Sequence, residues 1–257
     1  MKNIKIIMSY DGTRYKGWEH QPGVNNTIQG KLESVLEKMT GSPVEIIGAG
    51  RTDAGVHARA MTANFHIETE MSAEEIRDYM NKYLPDDICI IEAREASDRF
   101  HARYNAVGKT YRYSCYIGKT KPVFNRKYVC DLNRIIDWMG NDIRSIVPDM
   151  EAMKKASEYL CGSHDYASFC SNPKMKKSTV RVVDRIDITR EGEYLHFTYH
   201  GTGFLQHMVR ILTGTLLEVG YRKRSPESIP GLIEAKDRKL AGFTAPPDGL
   251  CLMEVEY

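Results

Sequence analysis

The residues best equipped for chemistry lie in one run, Gly48-Ala49-Gly50-Arg51-Thr52-Asp53-Ala54-Gly55-Val56-His57-Ala58. Glycines on both sides of a single Asp let the backbone turn tightly and let a ligand approach the carboxylate closely. Arg51, two residues away, can ion-pair with it or reach outward. A plainer reading fits the same letters: Asp53 bonds its own backbone in an Asx-turn and Arg51 is simply exposed, a common use of Asp-x-Gly. Gly48-Ala49-Gly50 after a strand also invites a dinucleotide-binding reading. That fingerprint needs a small residue at position 53 and a helix next. Asp53 would repel a pyrophosphate, and the residues after Gly55 look extended. A Walker loop fails as well, because no Gly-Lys-Ser/Thr follows.

A second feature runs from Arg99 to Tyr128, a stretch with no Asp or Glu. It holds Arg99, Arg103, Lys109, Arg112, Lys119, Lys121, Arg126 and Lys127, interleaved with Phe100, Tyr104, Tyr111, Tyr113, Tyr116, Phe124 and Tyr128. A basic, aromatic and acid-free segment suits a phosphate backbone with stacked bases. In a strand over 110–116, Tyr111 and Tyr113 share one face and Arg112 takes the other. The same tyrosines would serve equally as core residues or cross-strand pairs. A further basic cluster, Lys174, Lys176, Lys177, Arg181 and Arg185, lies in the other half. If the first belt touches phosphates, binding depends steeply on salt.

Other constellations are weaker. His196 and His200 sit in a strand-like stretch without a third metal ligand, and His164-Asp165 resembles a charge-relay pair without a nucleophile motif. The zinc-deaminase signature and a glycosidase carboxylate pair are both missing. The six cysteines are scattered, with no CxxC pair, so free thiols are expected.

The elements that must position these residues alternate. Strands are predicted over 4–10, 44–47, 58–67 and 88–92, with helices from Thr27 as N-cap to Gly41 and from Ser72, paired with Glu75 in a capping box, to Leu84-Pro85. In the second half, strands fit 110–117, 180–189, 194–200 and 250–256, and helices fit 150–160 and 205–219, the latter stopped by Gly220. This is the pattern of an α+β fold with helices on one sheet face. The boundary is expected near 96–108, giving halves 1–104 and 105–257, the first carrying the Asp53 loop.

Composition sets outer bounds. The chain has 257 residues, 42% of them hydrophobic and 27% charged, enough for one large domain or two small ones and too apolar for global disorder. No apolar run reaches the length of a membrane span, and Lys5 interrupts the apolar patch at the N-terminus, so a soluble intracellular, cytoplasmic protein is expected. Lys+Arg 36 against Asp+Glu 34 leaves +2. That balance predicts no polyanionic partner by itself, although one positive face suffices for nucleic acid.

The run Gly50 to Ala58 resembles the active-site motif of the tRNA pseudouridine synthase A family. The likeness covers nearly the whole chain. It includes Tyr10-Asp11-Gly12-Thr13 with Tyr15 and Gly17-Trp18, Leu84-Pro85-Asp86-Asp87-Ile88, and Lys109-Thr110-Tyr111-Arg112-Tyr113. It continues through His164-Asp165-Tyr166 with Phe169, Gly203-Phe204-Leu205-Gln206-His207-Met208-Val209-Arg210, and Thr244-Ala245-Pro246-Pro247-Asp248-Gly249-Leu250. Two places depart from the family pattern: Glu19 stands where Gln is usual, and Ala60-Met61-Thr62 replaces Gly-Gln-Val.

The resemblance implies two similar ferredoxin-like α/β halves with joined antiparallel sheets, helices on one face and an active-site cleft between the halves. It implies a homodimer acting on tRNA, away from membranes, with neither metal nor organic cofactor. The implied reaction isomerises uridine to pseudouridine in the anticodon stem-loop, at tRNA positions 38, 39 and 40. Carried over residue by residue, Asp53 is the nucleophile, Arg210 its ion-pair partner and Arg51 an arginine near the flipped base. Tyr111 contacts the target nucleotide and Leu250 lines the pocket; Arg112 and Lys109, beside Tyr111, are further substrate-binding candidates. The rival class is a non-catalytic RNA-binding or chaperone protein on the same scaffold, and a third is a hydrolase releasing free uracil.

Overall fold

The computed structural model describes all residues except Pro22, Asn25, 140–146 and Pro173, and the side chains of 136–139 lie outside the description as well. The chain forms two compact units. The first comprises Met1–Lys109 and Cys251–Tyr257, and the second Thr110–Leu250. The expected halves, 1–104 and 105–257, differ from this division chiefly at the end of the chain, where Cys251–Tyr257 lies in the first unit.

In the first unit β1 (Lys2–Tyr10) pairs antiparallel with β3 (His57–Ile67) on one side and β4 (Ile88–Ala96) on the other. The short β2 (Ile47–Gly48) also pairs with β3. The last strand, β10 (Leu250–Glu256), aligns Cys251 with His57 and Leu252 with Ala58, the one parallel pairing of this unit's named strands. Sequence patterning alone does not show that return, because it depends on a contact between residues far apart in the chain.

Register explains the core. Ile4 faces Phe65, Ile6 faces Ala63 and Met8 faces Met61, so all six share one sheet face, and each is fully buried. Helices α1 (Ile28–Thr40) and α2 (Ala73–Tyr83) contribute Ile28, Leu32, Leu36, Ile76 and Met80 to the apolar core. Their ends follow the sequence signals: Thr27 accepts from the Gly30 amide, Gly41 closes α1, and Ser72 and Glu75 bond reciprocally as a capping box. The strand expected over 44–47 survives only at Ile47. The Ile46 amide and carbonyl are instead taken by Glu33 and Gln29 of α1, at 3.2 and 3.0 Å.

The opposite sheet face carries polar groups that are nonetheless buried. Lys5 lies opposite Asn64 and Asn3 opposite His66. The Asn3 amide donates to the carbonyls of Ser97 (2.8 Å) and Phe100 (2.9 Å), and Asn64 donates to Asn3 Oδ1 (3.0 Å). Asn64 Oδ1 accepts the Ala102 amide at 2.8 Å, and Tyr257 donates its hydroxyl to the Ala102 carbonyl at 2.7 Å. The Lys5 ammonium lies over the Tyr257 and Phe100 rings, at 4.0 and 5.0 Å. Burial, aided by Arg94 and opposed by Glu92, lowers its pKa, and burial pushes the Tyr257 hydroxyl up to about 12. These groups fix the connection at 97–105 onto the sheet.

The second unit has strand order β5 (Gly108–Tyr116), β9 (Tyr194–Gly201), β8 (Val180–Glu191) and β7 (Gly162–Asp165), with β6 (Cys130–Asp131) beside β5. Leu195, Phe197 and Tyr199 of β9 alternate into the core. Met153, Ala156 and Leu160 of α4 (Met150–Leu160) and much of α5 (Met208–Gly220) are buried with them. Helix α5 starts three residues later than expected because His207 has a left-handed backbone, φ 60°, which no helix interior accepts. Gly220 is its last residue rather than its stop, and Tyr221 donates back to Leu217. Two helices were not anticipated, α3 (Leu132–Met139) and the short α6 (Ile229–Ala235).

Asn64→Ala strands a buried amide and a carbonyl partner at once. Urea unfolding is expected to show a loss of about 2 kcal/mol. A change below about 0.5 kcal/mol, the size of a neutral surface substitution, would contradict the bracing role.

Candidate active site

The Asp53 loop is built by its neighbours. The Ala49 amide donates to the Thr62 carbonyl at 2.8 Å, and the Ala49 carbonyl accepts from Lys109 Nζ at 2.8 Å. Thr52 is buried; its hydroxyl shares a hydrogen bond with Tyr10 at 2.8 Å, and its carbonyl accepts the Trp18 amide at 3.0 Å. The Gly55 amide donates to the Tyr15 carbonyl, and the Val56 amide donates to the Asp53 carbonyl. Asp53 therefore sits half-buried in a turn tied at both ends.

Segment 10–18 lies so close to this loop that two of its positions admit only glycine. A Cβ on Gly12 would fall 1.9 Å from the Val56 carbonyl oxygen, and one on Gly17, with φ +97°, would fall 2.8 Å from that of Thr52. The segment is anchored in turn by Asp87. Its carboxylate accepts from Tyr15 (2.5 Å) and Arg14 (2.6 Å), and its carbonyl accepts the Asp11 amide. The motifs around Tyr10-Asp11-Gly12 and Asp86-Asp87 are thus the frame of the Asp53 turn.

Arg51 is exposed and forms an ion pair with Glu19. Both line a cavity of 250 Å³ together with Trp18, Gly50, His101 and Tyr104. A larger groove of 630 Å³ along α1 is lined by Glu33, Glu37 and Glu45, an acidic wall unsuited to a polyanion.

The remaining predicted site residues belong to the second unit. Tyr111 is buried, with its ring edge-on to Phe204 at 5.3 Å. Arg112 on the next position of β5 is exposed. Arg210, in the first turn of α5, donates Nε to the Ala245 carbonyl at 2.7 Å, and the Ala245 amide donates to the Arg210 carbonyl. Tyr113 donates its hydroxyl to the Pro246 carbonyl at 2.7 Å, and a Cβ on Gly249 would collide with the Tyr113 ring and the Ser114 carbonyl. The Thr244–Leu250 stretch is thereby fixed to α5 and β5, with Leu250 buried at its end. Lys109, by contrast, lies in the first unit with Asp53 and Arg51.

Several aromatic residues of the basic belt are structural. Tyr113 and Tyr116 are buried, whereas Tyr104, Phe124 and Tyr128 are exposed. His164-Asp165 is no charge relay: His164 Nε2 bonds the Cys161 carbonyl, while Asp165 binds Thr179 and Lys236, which hold its carboxyl below the usual range. Among the described residues no group of three His, Cys, Asp or Glu could hold a metal ion. None of their helices is long and apolar enough to cross a membrane.

The family profile described as tRNA pseudouridine synthase matches residues 6–105 and 156–257. The chain belongs to this family. The chain is 40% identical over its whole length to the whole of tRNA pseudouridine synthase A 2 from Bacillus cereus (strain ZK / E33L). It is 42% identical to tRNA pseudouridine synthase A 1 from Clostridium tetani (strain Massachusetts / E88), again over the whole of both chains. It shares 42% identity with tRNA pseudouridine synthase A from Exiguobacterium sp. (strain ATCC BAA-1283 / AT1b), covering all of this chain and 98% of that one.

Within this family member, the departure at Glu19 has a structural consequence: its carboxylate occupies the guanidinium of Arg51. Sequence reasoning noted Glu19 only as a substitution and missed the pair, because nothing in the spacing of 19 and 51 signals contact. Glu19→Gln removes a negative charge and releases Arg51. Fluorescence titration with tRNA at low ionic strength is expected to show tighter binding by up to about fivefold, the scale of an exposed ion pair. Unchanged or weaker binding would contradict a restraining role for Glu19.

Proposed function

We propose that this protein isomerises uridine to pseudouridine in the anticodon stem-loop of tRNA, at positions 38, 39 and 40, with Asp53 as the nucleophile. The observation that carries the reading is the Asp53 turn itself, a half-buried carboxylate braced by Thr52, Lys109 and the glycine-permitted approach of segment 10–18. A carboxylate held this way meets a substrate without first being ordered, which is how positioning lowers a barrier.

The reaction breaks the N1–C1′ bond, turns the uracil and joins C5 to C1′. The C5 hydrogen leaves and N1 gains a proton, so the polymer neither gains nor loses mass. One carboxylate can serve each route to that product: attack at C1′, addition at C6, or proton abstraction on the way to a glycal. In each, the nucleotide must first leave its stack, at a cost of a few kcal/mol. In this reading Arg210 is the counter-ion of Asp53, Tyr111 contacts the extruded uracil and Leu250 lines its pocket. Arg51 fills the vacated space or holds a phosphate, and Arg112 adds a cation for the backbone. Lys109 acts through its bond to the Ala49 carbonyl, setting the loop that carries Asp53. A homodimer in the cytoplasm belongs to the same reading.

The test is release of tritium from tRNA labelled at C5 of uridine. Asp53→Asn is expected to fold, to bind tRNA and to release none, while the unaltered protein releases it. Turnover by Asp53→Asn near that of the unaltered protein would remove Asp53 from the mechanism.

A further inference from the structure

The cavity beside Arg51 does not include Asp53 among its lining residues. It is walled by Trp18, by 45–51 and by the turn His101-Ala102-Arg103-Tyr104. Its 250 Å³ falls below the volume of typical drug-sized pockets, about 300–1,000 Å³, and suits one small planar unit.

The turn is held by hydrogen bonds from several sides. Both polar backbone groups of Ala102 are engaged, by buried Asn64 and by Tyr257. Asn105 Oδ1 accepts the His101 amide at 2.7 Å, and its amide returns to the His101 carbonyl at 3.0 Å. His101 Nδ1 accepts from the amides of Arg103 and Tyr104, at 3.2 and 3.3 Å, so the ring proton resides on Nε2. Two buried asparagines thus support a turn whose outward side chains are Arg103 and Tyr104, the latter 76% exposed. Its ring lies 4.2 Å from that of His101 at 31°, so His101 backs one face of Tyr104 and the pair forms an aromatic shelf.

From these observations we infer that the shelf is a binding subsite for a second, unpaired nucleotide of the RNA substrate, adjacent to the one undergoing chemistry. Tyr104, backed by His101, stacks on its base, and Arg103 and Arg51 take its flanking phosphates. A pre-ordered aromatic ring beside two guanidinium groups is the equipment for sequence-tolerant stacking on single-stranded RNA. Glu19 and Glu45 are the acidic groups on this wall. Glu19 is already paired with Arg51, and its release accompanies phosphate binding. Arg51 belongs to the cavity and precedes Asp53 by two residues, so the two Cα atoms lie within about 7 Å. That reach places the second nucleotide next to the target. The inference rests on the RNA substrate proposed above.

The experiment pairs protein variants with tRNAs that carry single abasic nucleotides across the anticodon arm, and measures binding and isomerisation together. Tyr104→Ala is expected to weaken binding to unmodified tRNA about tenfold, within the range for loss of one base–aromatic stack. Tyr104→Trp is expected to retain affinity. For one abasic tRNA, lacking the base beside the target, the Tyr104→Ala effect should vanish. A loss below twofold, an equal loss on every abasic tRNA, or failure of Trp to preserve affinity would overturn the proposal. If binding shows the coupling but the unaltered protein makes no pseudouridine, the activity falls and the subsite stands. If pseudouridine forms without coupling, the subsite alone falls.

Discussion

Segments 10–18 and 48–57 approach each other more closely than any side chain allows at Gly12 and Gly17, and the placement of Asp53 depends on that approach. It lets the Trp18 amide reach the Thr52 carbonyl, and Tyr10 share a hydrogen bond with the Thr52 hydroxyl. Asp53 follows immediately, so its position is inherited from backbone contacts rather than from its own side-chain packing. A functional loop on the surface of a rigid scaffold normally risks disorder. Here the risk is met by tying the loop's entry to β3 and Lys109, and its exit to Tyr15.

The two faces of the same sheet are filled by different means. On one face, apolar residues of β1 and β3 belong to the core shared with α1 and α2, the conventional source of stability. On the other, Asn3, Lys5 and Asn64 are buried with their polar groups satisfied by the 97–105 connection and Tyr257. Buried amides contribute little net stability when satisfied and cost much when orphaned. They specify one conformation of that connection, and with it the orientation of Arg103 and Tyr104. The C-terminal strand completes this arrangement, since Tyr257 reaches Ala102 from its end.

Local signals were legible wherever the physics is local. Thr27, Gly41, Ser72 and Glu75 marked helix ends because a cap depends on residues within one turn. The Asp53 loop stood out because its glycines and single carboxylate are adjacent in sequence. Contacts between distant residues left weaker traces. Patterning did not show that 250–256 returns to β3, that Glu33 and Gln29 take the place of a ladder at Ile46, or that Glu19 pairs with Arg51. The belt from Arg99 to Tyr128 looked uniform, yet Tyr113 is buried and Tyr104 is exposed, a difference set by β5 alternation and a turn held from the far side of the sheet. The expected roles of Arg210 and Leu250 came from family likeness and not from spacing.

In the proposed reaction one braced carboxylate rearranges a uridine within intact tRNA. Mapping by carbodiimide treatment and primer extension, with the mass of the tRNA recorded before and after incubation with the purified protein, tests it directly. A new reverse-transcription stop at a former uridine of the anticodon arm, with no change in mass, is the expected result. A mass loss of one uracil less one water, as hydrolysis would give, or tight binding with neither stop nor mass change, would contradict it.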